Sequence, residues 1–341
     1  MCRHKVVFEP VLAEAWGVRT RTLVAASLAS IPPLFLLFLT TGAVFIPPDK
    51  FLAGGPYGVI LYHIRLPAAI AAALIGSILA VSGAVMQMLY RNPLLDPYIA
   101  GTASGAAFGA LLAYALALTG PGYLLLYQIP LAFSLAVAAS LITLAVGRGD
   151  VYATIIGGVA VSYFFSAATT IALSYLSSKV PQIPPLAFWL FGYIDYVSYR
   201  IDAILSAAAA ALTLVAIREA RRIDLVAISD ELAHVRRIRP NRYRLGWISA
   251  VSLATALVVS QVGVVGFVGL MVPHLARMAL RNGSATAVVP ASAALGAPVL
   301  LASDALARGL LGFTVPVTAV TSIFAVPVVI SVLYAGRRPQ S

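Results

Sequence analysis

Residues 65–109 read RLPAAIAAALIGSILAVSGAVMQMLYRNPLLDPYIAGTASGAAFG. After Arg65-Leu66-Pro67 the run stays apolar and small-residued through Gly76, Ser82-Gly83-Ala84 and Gln87, long enough to cross a hydrocarbon core of ~30 Å. It breaks at Arg91-Asn92-Pro93-Leu94-Leu95-Asp96-Pro97, where two prolines interrupt helical pairing. It then restarts with Gly101, Gly105 and Gly109, four residues apart and so on one helix face. In lipid no hydrophobic force draws helices together, and small residues at a contact let backbones approach closely. The pattern predicts two membrane-length helices joined by a short polar turn, forming a packed wall around a path.

The rest of the chain is of the same kind. It has 341 residues, 61% hydrophobic and 10% charged, with mean hydropathy +0.95. A soluble domain could not hide that much apolar surface, so the solvent is lipid. Spans are expected near 22–46, 66–90, 98–119, 124–146, 152–176, 200–217, 244–264, 266–280, 286–310 and 315–335, about ten in all. The eighth is short, and merging it with the seventh would leave nine. The first run, with Pro32-Pro33, is too long for a cleaved signal and many spans follow it. One cysteine, Cys2, rules out a disulfide framework.

The net charge of +11 invites a nucleic-acid reading, but its distribution argues for topology. With the N-terminus inside, only Lys50, Arg65, Lys179, Arg200 and Arg308 of the 23 basic residues fall outside. That bias predicts both termini in the cytoplasm of a multi-pass protein of the cell membrane, with the lipid bilayer and not nucleic acid as its surroundings. The expected organisation is an N-terminal segment 1–21, one transmembrane domain 22–335 and a tail 336–341.

Two loops stand out. The external loop 177–199 contains Leu186–Tyr196, which reads as a short interfacial helix, either an aromatic belt or a cover over a pore mouth. The polar stretch 218–244 carries Arg218, Arg221, Arg222, Arg236, Arg237, Arg239, Arg242 and Arg244. Through it run Leu225, Ile228, Leu232 and Val235, spaced as one face of a helix. Such a face suits a groove on a cytoplasmic partner, or a helix lying on anionic lipid.

Catalytic signatures are missing. The three lysines, Lys5, Lys50 and Lys179, sit in no phosphate-binding loop, and no His-Glu-x-x-His occurs. Carboxylates inside the spans are nearly confined to Asp304, which disfavours ion coupling. A secondary transporter or channel remains the alternative reading.

A second motif region runs Gly263-Val264-Val265-Gly266-Phe267-Val268-Gly269-Leu270-Met271-Val272-Pro273-His274-Leu275-Ala276-Arg277, followed by Gly296, Asp304, Arg308 and Pro316. With Arg65-Leu66-Pro67, Ser82-Gly83-Ala84, Gln87 and Asn92-Pro93-Leu94, these elements lie in order over about 65–335. The chain thereby resembles the FecCD family, permease subunits of ATP-binding-cassette importers for iron-siderophores, haem and cobalamin.

The resemblance implies an all-α integral membrane protein with the type II importer permease fold, about ten transmembrane helices per protomer. It implies no enzymatic activity and no cofactor of its own, ATP and Mg²⁺ being held by two cytoplasmic ATPase subunits. The other partners would be a second copy of the chain and an extracytoplasmic substrate-binding protein. Coupling to the ATPases would fall to Leu225, Ile228, Ser229, Glu231, Leu232, Val235, Arg236 and Arg237, with Ser229 and Arg237 where the family usually has glycines. Arg65 and Arg308 would dock the binding protein, while Ala68 stands where a second arginine often follows. Thr318 and Ala325 likewise replace glycines of the family pattern. Gly157, Gly158, Ser162, Ser166 and Thr169 on the fifth helix are candidates for the translocation path, a plain packing face being the other reading. Asn92, Pro93, Gly101, Gly105, Gly266, Gly269, Pro273 and His274 carry the structural motifs.

Overall fold

The computed structural model describes residues 9–51, 55–95, 101–119, 127–148, 151–179, 192–194, 197–310 and 314–335. These form helices and connecting turns, with no strand among the described residues. In chain order the helices are α1 (Glu9–Thr40), α2 (Pro56–Leu89, with a π turn at Leu61–Arg65), α3 (Thr102–Thr119), α4 (Gln128–Gly147) and α5 (Val151–Lys179). Then follow α6 (Tyr199–Ile228), α7 (Asp230–Val235), α8 (Pro240–Val262), α9 (Val268–Leu280), α10 (Ala285–Ala305) and α11 (Val317–Ala335).

Seven are long and apolar enough to cross a membrane, and shorter apolar helices (α3, α9 and α11) occupy the remaining expected positions. The proposed merger of the seventh and eighth spans does not occur. α8 ends at Gly263 (φ 74°), and the next helix starts only after Phe267, itself in the left-handed region at φ 69°.

Several boundaries shift. α2 starts at Pro56, ahead of the expected 66, and α1 ends at Thr40, short of the expected 46. α1 begins by Glu9, so the helix reaches back into the segment expected to lie separately at 1–21. α6 continues to Ile228, deep into the stretch expected as a loop from 218, because arginines with long aliphatic stems are good helix formers beyond the bilayer. Of the interfacial helix expected at 186–196, residues 192–194 are described and are not helical. The rest of that expectation, residues 1–8, Asp96, Pro97 and the tail 336–341 lie outside the described residues.

The arrangement is set by α2. Its segment Leu66–Leu89 is buried nearly throughout and packs against α10, α6, α9, α8 and α1. The expected wall is therefore an axle inside the protomer. A Cβ on Gly76 would lie 2.1 Å from the carbonyl oxygen of Gly296, and one on Gly296 would lie 2.2 Å from that of Gly76. Two backbones touch there because neither residue has a side chain. One turn-pair along, a Cβ on Gly83 would meet the Gly269 carbonyl at 1.8 Å, pinning α9 to the same axle. Ser77 Oγ donates to the Ala293 carbonyl (2.7 Å) across the α2–α10 contact.

The glycine face of α3 serves a different neighbour. A Cβ on Gly105 would meet Leu135 O at 2.5 Å and one on Gly109 would meet Leu131 O at 2.5 Å, both on α4. The chain therefore forms a group around α2 and a group of α3, α4 and α5, with α8 packed against both.

Gly83→Ala should force α9 off the axle. We expect a loss of ~1–3 kcal/mol, as for overpacked cores, read as a lower thermal midpoint and less monodisperse protein in detergent. Gly246, with nothing within 4 Å of its would-be Cβ, provides the contrast: Gly246→Ala should be neutral or stabilising by up to ~1 kcal/mol.

Candidate functional site

At the arginine-rich end, Ser229 adopts extended backbone (φ −158°, ψ 153°) and its Oγ accepts the Leu232 N–H at 3.0 Å. This N-cap ends α6 and starts α7. The expected single apolar face is thus split: Leu225 and Ile228 finish α6, while Leu232 and Val235 ride on α7. All eight coupling candidates still lie at this one end. Ile228 and Val235 are 68% and 78% exposed, Leu225 and Leu232 are half-buried, and Glu231, Arg236 and Arg237 are exposed.

Beneath this tip lies a knot of charges that the sequence reading did not assign. Asp230 receives both guanidinium nitrogens of Arg244 (Nη1 to Oδ2 2.9 Å, Nη2 to Oδ1 2.8 Å) and Nη2 of Arg91 (2.5 Å). The forked contact is the strong form of a carboxylate–arginine pair. Arg244 also donates from Nε to the Leu89 carbonyl (3.0 Å), at the end of α2. Arg91 donates to Val226 O (2.7 Å) and Ala227 O (3.0 Å), satisfying carbonyls left open at the end of α6. Asp224 accepts the Ala285 N–H (2.6 Å) where α10 begins. The tip is therefore tied to α2, α6, α8 and α10. The available signal was scarcity: with only 12 acidic residues in the chain, two aspartates inside an arginine-dense stretch must each hold something.

The Asp230 carboxyl is held below the usual carboxylate range, chiefly by its hydrogen bond from Arg244 and further by the charges of Arg244 and Arg91, against a smaller opposing effect of burial.

The motifs around α9 form a second cluster. Pro273 has no N–H, so the Gly269 carbonyl lacks its helical donor. Gln87 Nε2 approaches that oxygen at 3.2 Å and Leu270 O at 3.3 Å, and Gln87 Oε1 accepts Arg277 Nη1 at 2.6 Å. His274 Nδ1 lies 3.1 Å from Leu270 O. Asn92 closes its own turn, its Oδ1 accepting the Leu94 N–H (3.0 Å) ahead of Pro93. Gly101 takes φ 82° before α3, with a would-be Cβ 3.0 Å from Val161. At the α8–α9 break, Thr318 Oγ1 donates to Val264 O (2.7 Å) and accepts the Gly266 N–H (3.1 Å), and Thr321 Oγ1 donates to Gly266 O (2.8 Å). The residue standing in for a glycine at 318 thus fastens α11 to the break.

At the opposite end, the two arginines expected to meet a binding protein are turned inward. Arg65 is 4% exposed, and donates from Nη1 to Leu39 O (2.7 Å) and from Nη2 to Val44 O. Arg308 is buried, its Nε donating to Asp304 Oδ2 (2.8 Å) and its guanidinium lying 4.4 Å from the Phe38 ring centroid. Both therefore converge on the end of α1, where a cation satisfies terminal carbonyls. Neither is a surface docking charge in this structure, a correction to the expectation.

The α5 candidates divide. Gly157 is buried against α4, its would-be Cβ 2.9 Å from Val146 Cγ1, and Gly158 is buried too. These two belong to packing and not to an open face. Ser166 is exposed, Ser162 and Thr169 are half-buried, and Thr169 Oγ1 donates back to Phe165 O (2.8 Å). Ser166 shares its exposed face with Tyr163, Thr170, Ser174 and Ser177, a polar stripe on a helix otherwise fit for lipid.

The FecCD transport family model matches residues 28–335. The hemin transport system permease protein HmuU of Yersinia pestis is 33% identical over 289 residues, 83% of this chain and 85% of its own length. The vitamin B12 import system permease protein BtuC of Escherichia coli O9:H4 is 32% identical over 314 residues, covering 89% of this chain and 92% of that protein. A solved structure described as an inward-facing metal-chelate type ABC transporter covers 92% of this chain and 99% of its own, with TM-score 0.77 at 24% identity. At that identity the likeness is one of fold.

Because the folded pKa of Asp230 is lowered, the stability it contributes is present above the unfolded carboxylate value of about 4 and is lost as pH falls through the folded value. Asp230→Asn should therefore melt below the wild type at neutral pH and approach it as the pH falls below the unfolded carboxylate value of about 4. Thermal denaturation of the purified chain across that range checks this; a gap that ignores pH would contradict it.

Proposed function

The chain belongs to the FecCD transport family, and from that premise we propose how this importer permease is assembled and driven. It is the transmembrane permease subunit of an ATP-driven importer. In our reading it works as a homodimer, with two ATPase subunits at the arginine-rich, cytoplasmic end and a substrate-binding protein at the other. The cargo is a metal-chelate of the iron-siderophore, haem or cobalamin class. ATP and Mg²⁺ stay on the ATPases, and this chain performs no bond chemistry.

The observation that carries the reading is the tip of α6–α7. Two large apolar side chains, Ile228 and Val235, stand exposed there, while the backbone behind them is locked to four helices through Asp230 and Asp224. An exposed apolar knob on a rigid mount suits insertion into a groove of a partner. A push on it moves the α2 axle as one body, and ATP can bias the transporter only through contacts that differ between its states. The polar stripe of α5, from Tyr163 through Ser166 and Thr170 to Ser174, supports a wet face toward the second copy. We place the path there, without Gly157 and Gly158.

Proteoliposomes holding the chain, its neighbouring ATPase and binding protein should take up the labelled chelate only with ATP. Replacing Ile228 and Val235 by Asp should cut uptake and ATPase association by about tenfold or more. Uptake that ignores ATP and follows an ion gradient would overturn the assignment.

A further inference from the structure

Beside the apolar tip, the ends of α6 and α8 enclose an open groove of 590 Å³ lined by Arg222, Leu225, Arg236, Arg237, Ile238, Arg239, Arg242 and Tyr243. Five arginines thus line it together with Leu225, Ile238 and Tyr243. Arg222 is paired with Glu219 (3.0 Å), whose other oxygen accepts the Tyr243 hydroxyl (3.2 Å). Among the described residues no carboxylate is paired with Arg236, Arg237, Arg239 or Arg242. Positive-inside bias alone does not require such a cluster, because dispersed arginines satisfy it equally well. Four like charges held around one hollow repel one another, so the groove is built for an anion.

The shape of its walls says which kind. Arg222 and Leu225 share a face of α6 with Arg218 and, two turns toward the membrane, with Leu214 and Val215, the latter two 53% and 48% exposed. Arg242 shares a face of α8 with Leu245, Gly246, Ser249 and Leu253, and Leu253 is 53% exposed. The basic hollow therefore opens upward onto two exposed apolar faces of membrane-spanning helices. A carboxylate-bearing protein surface would need the basic end alone. A molecule with an anionic head and an apolar tail matches both halves.

We propose that this groove is a binding site for one anionic phospholipid of the inner leaflet, its headgroup phosphate among Arg236, Arg239 and Arg242 and its chains along α6 and α8. The site rests on the reading that this end is cytoplasmic. It shares Leu225, Arg236 and Arg237 with the candidate coupling end, so the test changes only Arg239 and Arg242 and is read without the ATPase. Basic pockets at the cytoplasmic ends of membrane helices recognise headgroups in this way, each arginine adding to the attraction. The lipid would neutralise the repelling arginines and brace the α7–α8 turn that carries Arg237 in the left-handed region (φ 59°).

The test uses the full chain without ATPase, delipidated in neutral detergent and titrated with phosphatidylglycerol or phosphatidylcholine, adducts being counted by native mass spectrometry. Saturable binding of phosphatidylglycerol, with phosphatidylcholine at least about tenfold weaker, is expected. Arg239→Gln with Arg242→Gln should abolish that preference, while Arg239→Lys with Arg242→Lys, by keeping the charge, should retain most of it. Unchanged preference in the Gln variant would overturn the proposal. So would full displacement by millimolar inorganic phosphate, which would make the site one for free anions. A Gln variant that keeps its lipid preference but, in a separate pull-down, no longer associates with the ATPase would assign the groove to an acidic protein surface instead. Because lipid binding is read without nucleotide or cargo, its failure leaves the importer assignment standing, and the failure of ATP-driven uptake leaves the lipid site standing.

Discussion

The contact between Gly76 and Gly296 sets the rest of the structure. In water, burial of apolar surface would draw α2 and α10 together, but lipid offers no such gain, and attraction must come from close packing. Each heavy-atom pair at optimal distance contributes only ~0.1–0.2 kcal/mol, so many must be brought into range. Two backbones without side chains between them achieve this. The approach at Gly83 and Gly269 repeats it for α9 and places Gln87 where it can serve the carbonyl that Pro273 leaves without a donor. Packing and polar satisfaction thus depend on the same few small residues.

A rigid axle is useful only if something turns it. The arginine-rich end supplies the link through Asp230, which holds Arg91 and Arg244, and through these the last carbonyls of α6 and α2. Asp224 adds α10 by taking the Ala285 N–H. At the other end Arg65 and Arg308 perform a comparable internal task for α1. The exposed apolar side chains of the tip, the charge knot beneath it and the glycine-packed axle above form one continuous packed and hydrogen-bonded unit.

Much of this was legible in the sequence. Hydropathy located the apolar helices, including short α9, while α7 lay hidden in the polar stretch 218–244 because it carries no hydropathy signal. The glycines of α3 announced a packed face. Their partner, however, is α4, since spacing along a chain states which face is small and not which helix meets it. The same limit hid the pairing of Gly76 with Gly296 across more than half the chain. Arg65 and Arg308 read as external charges because an arginine near a helix end looks the same whether it reaches outward or folds back onto carbonyls. α6 ran past its expected end because a helix that leaves the bilayer carries no hydropathy signal, and Gly157 and Gly158 read as path when both are buried, Gly157 against α4.

The central claim is that α7 and α2 move as one body when ATP acts. Spin labels on cysteines replacing Leu94, just past α2, and Val235, on α7, in a Cys2→Ser background, report that distance by pulsed electron paramagnetic resonance in the assembled transporter. A further label at Ile171 on exposed α5 reports the separation of the two copies in the proposed homodimer. The account predicts that the 94–235 distance is the same with and without ATP while the 171–171 distance changes. A 94–235 distance that shifts on ATP binding while the 171–171 distance stays fixed would contradict it.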